Sequence, residues 1–332
     1  MSVNDRLTFE RSGLLHGLSD VDREEAFAAF RTYDLGPGEE LLVEGEADRT
    51  LCYIVDGYLV AILSGARLGR IGPGETVGEM AMFGSLDRRA ATVKTETPVR
   101  MLLLDEEGLR FMRMRDNPVV QRMESLAMRT IAGRLRAVDL LIGTMADGEV
   151  VRERTGKGLL SRIAAGFGFA GARPATAPPK PTAVLRNTPG FSTRDDAVLE
   201  RLASRFEPVA FRQGEALVNQ GEYGEEAFIV AEGRVAVYRA VDEDRAERIA
   251  QLGPGHVVGA VALADAGGRS ATVRAIQPTW ALRITHQAYR ELETDLGAEG
   301  RTFRRGMIDA MSAQLRLANE HIVRLSGRWG AV

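Results

Sequence analysis

Two stretches of the chain alternate apolar and polar residues in the same way. GPGEELLVEGEADRTLCYIVDGYLVAIL starts at Gly36 and RQGEALVNQGEYGEEAFIVAEGRVAVY at Arg212. Each opens on Gly-Glu, reaches a second glycine seven residues later, and a third (Gly57 or Gly233) twelve residues after that. IGPGETVGEM at Ile71 and LGPGHVVGAV at Leu252 continue the match, as do RAATV at Arg89 and RSATV at Arg269. The spacing between copies, about 180 residues, is too long for a solenoid and fits a duplicated domain. Short Val/Ile/Leu/Tyr-rich runs punctuated by glycine predict antiparallel strands closing into a barrel or sandwich, with glycine supplying the positive φ of tight turns.

Helical periodicity flanks both β regions. LSDVDREEAFAAF from Leu18 and DDAVLERLASRF from Asp195 predict a helix ahead of each barrel, the second with an N-cap candidate. A longer helix is expected after each. The first, roughly 117–145, carries Val119, Met123, Leu126, Thr130, Val138 and Leu141 near one face. The second, near 301–324, carries Phe303, Met307, Met311, Leu315, Ile322 and Leu325. Such stripes need a covering surface, either the chain's own barrel or a second copy in a homodimer. The fold class is therefore mainly β with flanking helices. Residues 8–142 form a first domain, 143–188 a flexible Gly/Ala/Pro-rich linker, and 189–327 a second domain with its C-terminal helix. Within the linker GARPATAPPKPTAV reads as a disordered or extended spacer. The 157–170 segment places Leu159, Leu160, Ile163 and Phe167 on one side of a short helix, which suits docking on a partner or a membrane surface, or an incidental apolar patch in a connector.

Composition narrows the classes. With 332 residues, 45% apolar and 27% charged, the chain reads as a globular protein, and a net charge of −3 offers no general attraction to nucleic acid. The absence of a signal-peptide core or a long apolar run leads to the expectation of a cytoplasmic protein without membrane spans. Abundant Ala, Gly and Arg hint at a bacterial source. The lone cysteine, Cys52, sits in the apolar run LCYIV and reads as a buried structural thiol. Four scattered histidines give neither metal-ligand spacing nor a nucleophile-base pair, so no catalytic or metal site is expected and the protein reads as a non-enzyme.

GEMAMFGSLDRRAATV, residues 78–93, carries the chemistry. Gly78 permits a sharp reversal, and Met80 to Met82 can begin one helical turn whose free N–H groups favour an anion. Arg89 returns ten residues after Glu79 with a planar fork suited to phosphate oxygens. Glu79 can then accept a hydrogen bond from a ribose hydroxyl. A plain Glu79–Arg89 surface ion pair closing the loop is the competing reading, worth about 1 kcal/mol or less.

This stretch resembles the phosphate-binding cassette of cyclic-nucleotide-binding domains, Phe-Gly-Glu-Leu-Ala-Leu followed by Arg-Ala-Ala-Thr-Val, and the preceding strands resemble the family as well. The resemblance implies two eight-stranded β-rolls with helices at their ends. It places a cyclic nucleotide on Gly78, Glu79, Met80, Ala81, Arg89, Ala90 and Ala91, with the phosphate on Arg89 and the ribose 2′-hydroxyl on Glu79. In the family, ligand moves the helix after the barrel. A hydroxyl residue after the arginine often favours guanine there; Ala90 holds that place, which points to cyclic AMP over cyclic GMP.

The second cassette, Gly259, Ala260, Val261, Ala262, Arg269, Ser270 and Ala271, lacks the glutamate: Ala260 stands in its place. Losing that acceptor is expected to remove roughly 1.5–3 kcal/mol of binding. Arg269 would then take a phosphate, or pair with an acid such as Asp265 and brace the loop. The tandem arrangement resembles the regulatory subunit of the cyclic-AMP-dependent protein kinase. No inhibitory Arg-Arg segment precedes the first copy, however, and Arg304-Arg305-Gly306 lies on an expected helix. Relatives that are transcription activators append a DNA-reading domain, for which the residues after Arg269 leave no room. Two readings follow: a cyclic-nucleotide sensor signalling through its helices to an unidentified protein partner, and a scaffold that uses the duplicated fold for protein contacts.

Overall fold

The structure is a computed structural model describing residues 3–145, 172–191, 193, 195–240 and 246–329. The first copy opens with α1 (Val3–Arg11) and α2 (Asp20–Ala29), followed by β1 (Phe30–Leu35), β2 (Glu40–Leu42), β3 (Leu51–Asp56), β4 (Leu59–Leu63), β5 (Ala66–Ile71) and β6 (Thr76–Val77). A single helical turn, α3 (Glu79–Met82), precedes β7 (Thr92–Thr95) and β8 (Val99–Leu104). Then come α4 (Glu106–Met114) and the long α5 (Pro118–Met145). Antiparallel pairing yields two four-stranded sheets, β1-β8-β3-β6 and β2-β7-β4-β5.

The second copy has α6 (Pro181–Asn187), α7 (Asp196–Ala203), β9 (Glu207–Phe211), β10 (Ala216–Val218), β11 (Glu226–Glu232), β12 (Val235–Ala240), β13 (Ala246–Leu252) and β14 (Val257–Val258). It continues with α8 (Ala260–Asp265), β15 (Thr272–Ala275), β16 (Thr279–Thr285), α9 (His286–Thr294) and α10 (Ala298–Trp329). Its sheets, β9-β16-β11-β14 and β10-β15-β12-β13, repeat the first copy's order with every strand number raised by eight. The duplication seen in the glycine spacing is thus a duplication of topology.

Local chemistry sets the element ends. The side chains of Ser19, Asp105, Asp195 and Thr285 each accept from a first-turn N–H of the helix they precede. Inside the first roll the two sheets share a core of Leu42, Cys52, Ile54, Leu59, Ile71, Val77, Val93, Val99 and Met101. Cys52 is wholly buried there, and burial pushes its thiol up to about 12, so it remains an unreactive packing group at neutral pH. The second roll has its own core around Phe211, Phe228, Val235 and Val273.

The stripes on α5 and α10 find their covering surface within the chain. The two helices pack along one another, and Val119, Met123, Ile131 and Val138 join Phe303, Met307, Met311, Leu315 and Ile322 in one apolar cluster with residues from both copies. The chain itself supplies the seam for which its own barrels and a second copy had been the two candidates.

Of the linker, residues 143–145 and 172–188 are among those described. Residues 172–180 run extended, with Trp280 Nε1 donating to Thr176 Oγ1 at 3.1 Å and Gln213 N donating to Ala172 O at 3.4 Å. Residues 181–187, read as spacer, form α6 instead. Pro181 at the start needs no N–H partner, and fully buried Leu185 anchors the helix to the core. Ahead of the first roll, α1 plants Phe9 against Phe27 and Phe30. The 157–170 segment lies outside the described residues. No helix among those described is long and apolar enough to cross a membrane.

Candidate functional site

Gly78 fixes the shape of the first cassette. Its φ is +91°, and a Cβ there would lie 2.2 Å from Thr50 O and 2.8 Å from Arg89 Nη1. The turn therefore needs a residue that tolerates the left-handed region and leaves room for the arginine. Gly259 repeats this at φ +82°, with the added Cβ 2.6 Å from Arg269 Nη1. Gly78→Ala is expected to destabilise the first copy by more than about 1 kcal/mol, readable as a lowered thermal midpoint, with the second cassette's backbone unaffected.

After Gly78, Met82 and Phe83 donate their N–H groups to the carbonyls of Gly78 and Glu79, closing the single turn of α3. Arg89 returns beneath it, 5% exposed. Its Nη2 donates to the Asp48 carboxylate and, at 2.9 Å each, to the carbonyl and hydroxyl of Thr50. Burial alone would raise the Asp48 carboxyl, but the Arg89 and Thr50 contacts outweigh it and hold the group below its usual value. Arg89 Nε is buried without an acceptor.

Glu79 does not pair with Arg89, which removes the simple loop-closing ion pair. Only 1% exposed, it accepts at Oε1 from Arg134 Nη1 of α5 at 2.6 Å, while Arg134 Nη2 donates to Thr76 O. Its second oxygen, Oε2, is buried with no partner. Gly78, Glu79, Met80, Ala81, Arg89, Ala90 and Ala91 all line one cavity of about 220 Å³. The far wall comes from Gly133, Arg134, Ala137 and Val138 of α5 and from Leu315 and Asn319 of α10. None of these helix residues was legible as a site component: the long helices read as apolar stripes, and nothing in their sequence says which cassette a polar residue faces.

The second cassette lines a cavity of about 260 Å³ with Gly259, Val261, Ala262, Arg269, Ser270 and Ala271, whereas Ala260 is buried outside its lining. Arg269 is also buried and donates to backbone as Arg89 does to Gly78 O and Thr50 O, with Nη1 on Gly259 O and Nη2 on Glu226 O, each at 2.7 Å. Burial draws its guanidinium below the usual arginine value. The Arg269–Asp265 pair, one of the two alternatives for this arginine, is not made, because Asp265 takes a two-pronged bond from Arg136 of α5 at 2.7 and 2.9 Å. Arg136 Nη1 also donates to Gly268 O at 2.7 Å.

One helix therefore holds both cassettes. Arg134 and Arg136 are two residues apart, about 200° around α5, and so reach opposite sides. Asp139 follows Arg136 by three residues on the same side and accepts from Ser270 Oγ at 3.1 Å. Burial pushes its carboxyl up to about 6, against the opposing pull of Ser270 and of Arg239 and Arg136. Among the described residues no cluster of His, Cys, Asp and Glu is arranged to hold a metal ion.

Residues 34–116 and 208–294, together just over half of the chain, match the Cyclic nucleotide-binding domain family. The chain belongs to that family and carries its domain twice, as a tandem pair of β-rolls. A Cyclic AMP receptor protein from Thermus thermophilus is 29% identical over 108 residues, 32% of this chain and 50% of that protein. A cAMP-dependent protein kinase regulatory subunit from Dictyostelium discoideum is 33% identical over 94 residues, 27% of this chain and 29% of that protein. The chain thus spans half or less of the length of these curated relatives. Among solved structures, the regulatory domain of Toxoplasma gondii PKA with cAMP aligns over 89% of this chain and 96% of that one, at 16% identity and a TM-score of 0.33. The regulatory subunit of a cAMP-independent protein kinase A from Trypanosoma brucei aligns over 88% of each, at 19% identity and a TM-score of 0.31.

Proposed function

We propose that this protein is a non-catalytic, cyclic-nucleotide-responsive regulator whose first cassette binds the ligand, with cyclic AMP preferred over cyclic GMP. The observation that carries this reading is the pair of unsatisfied groups on the first cassette: the acceptor Glu79 Oε2 and the donor Arg89 Nε, both buried on residues that line the same cavity. Buried polar groups rarely go without partners. A ligand offering an anion to Arg89 and a hydroxyl to Glu79 supplies both, which is the chemistry of a cyclic phosphate fused to a ribose. Arg134 bonds the other oxygen of the same carboxylate, so occupancy bears directly on α5. Ligand signals to a partner protein only if α5 sits differently when the pocket is filled.

The second cassette supports a different role. Ala260 offers no acceptor, and Arg136 and Asp139 tie the loop to α5. This half is a brace that positions the shared helix. A scaffold without ligand remains the alternative, and the degenerate second cassette is what favours it.

Calorimetric titration of cyclic AMP into the full chain, Arg89→Ala and Arg269→Ala separates these readings. The expected result is micromolar or tighter binding to one site, abolished by Arg89→Ala and kept by Arg269→Ala. Two sites of similar affinity would restore the second cassette as a ligand site. No heat with either nucleotide at millimolar concentration would leave the scaffold reading.

A further inference from the structure

The helix shared by the two cassettes presents a cation to one cavity and an acid to the other. Arg134 of α5 lines the first, and Asp139, further along the same helix, lines the second. In the second cavity Asp139 sits at the arginine end. Ser270, which directly follows Arg269, donates from Oγ to Asp139 Oδ2 at 3.1 Å. Among the described residues Asp139 has no ion-pair partner. Arg136 gives Nε and Nη2 to Asp265 and Nη1 to Gly268 O, and Arg239 acts on Asp139 only through its field. A carboxylate in a cavity with no cation bonded to it is costly. Burial raises this one to about 6, so at neutral pH it still carries most of a negative charge. A tie to Ser270 does not explain the charge, because an asparagine accepts the same bond without it.

We infer that Asp139 is a charge gate: carried in by the first copy's helix, it keeps the phosphate of a cyclic nucleotide out of the second cavity. The inference rests on the reading of the two cassettes under the proposed function, and it gives the reason for the silence of the second. The second cavity has the room, about 260 Å³ against about 220 Å³, and Arg269, Ser270 and Ala271 line it as Arg89, Ala90 and Ala91 line the first. The missing carboxylate at Ala260 therefore accounts for a weak site and not for an empty one. A fixed negative charge beside Arg269 supplies the rest, since like charges brought together away from water weaken binding tenfold or more. One helix thus sorts an anionic ligand towards the first cassette and away from the second.

The test is calorimetric titration of cyclic AMP and cyclic GMP, up to millimolar concentration, into the full chain and its Asp139 variants. Asp139→Asn keeps the size of the side chain and an acceptor for Ser270, so it removes the charge alone. It is expected to add a second site roughly ten- to hundredfold weaker than the first, the deficit that Ala260 leaves. Combined with Arg89→Ala, the new site should be the one that remains, and adding Arg269→Ala should remove it. Thermal melting of ligand-free Asp139→Asn should match or exceed the parent, because a buried charge has gone. Two sites already present in the parent, or a single site in folded Asp139→Asn, would overturn the gate and leave the first cassette's reading standing. A second site that opens in Asp139→Ala but not in Asp139→Asn would assign the block to bulk, and the charge gate would again be wrong. If the parent and Asp139→Asn both bind neither nucleotide, the proposed function itself falls and the gate falls with it.

Discussion

Arg304→Ala is expected to lower the stability of this protein by about 3–5 kcal/mol, the cost of breaking a buried ion pair. Arg304 is 1% exposed on α10, and its Nε donates to Glu124 Oε2 of α5 at 2.8 Å. Its Nη1 also donates to the carbonyls of Leu292, Glu293 and Asp295, which close the end of α9. Arg113 reaches the other oxygen of Glu124 at 3.1 Å. Loss of Arg304 thus leaves Glu124 with only the half-exposed Arg113 and strands several carbonyls at the point where the two copies meet. Urea unfolding monitored by tryptophan fluorescence and circular dichroism gives the size of the loss. The double variant Arg304→Met with Glu124→Leu should be far less damaged than either single change, since apolar groups of similar volume can replace a buried pair. Equal damage in the double variant would place the effect in packing and not in charge. The burial of Arg304 also keeps Arg304-Arg305-Gly306 from serving as an extended inhibitory segment, in line with its expected helical setting.

The second large effect is expected at Glu79. Glu79→Ala should weaken cyclic AMP binding by one to two orders of magnitude, about 1.5–3 kcal/mol for a charge-assisted hydrogen bond to the ribose. Arg134→Ala should act differently. It leaves Glu79 in place but cuts the link to α5, so binding falls less while the response of the helix disappears. Hydrogen exchange along residues 118–145, measured with and without cyclic AMP, distinguishes the two. The parent should show ligand-dependent protection of α5, and Arg134→Ala should show binding without it. Protection that persists in Arg134→Ala would mean that the helix responds through the apolar wall of Ala137 and Val138 instead.

Much of this was legible in the sequence because it rests on local rules. Strand alternation, positive-φ glycines and N-cap residues depend on a few neighbouring residues, so the two rolls and the bounds of α5 could be read directly. The cassette was readable for a related reason: Gly78, Glu79 and Arg89 act within one loop, and their spacing is fixed by that loop. The end of the linker was misread because a Pro-rich composition describes an unfolded preference, whereas α6 exists through the burial of Leu185 in a surface made by distant residues. The alternative that paired Arg269 with Asp265 failed for the same kind of reason. Asp265 is close in sequence, but Arg136 takes it from 129 residues away.

The sequence by itself determined the duplicated β-roll, the intact first cassette and the missing carboxylate at Ala260, each a matter of short-range spacing and side-chain chemistry. Only the tertiary structure decided what completes the pockets: α5 turning Arg134 to one cassette and Arg136 with Asp139 to the other, and α10 bringing Asn319 into the first. The physical reason is that a helix displays side chains all around its axis, and which of them faces a cavity depends on the rotation at which two apolar stripes interlock. That rotation is set by long-range packing across the seam between the copies.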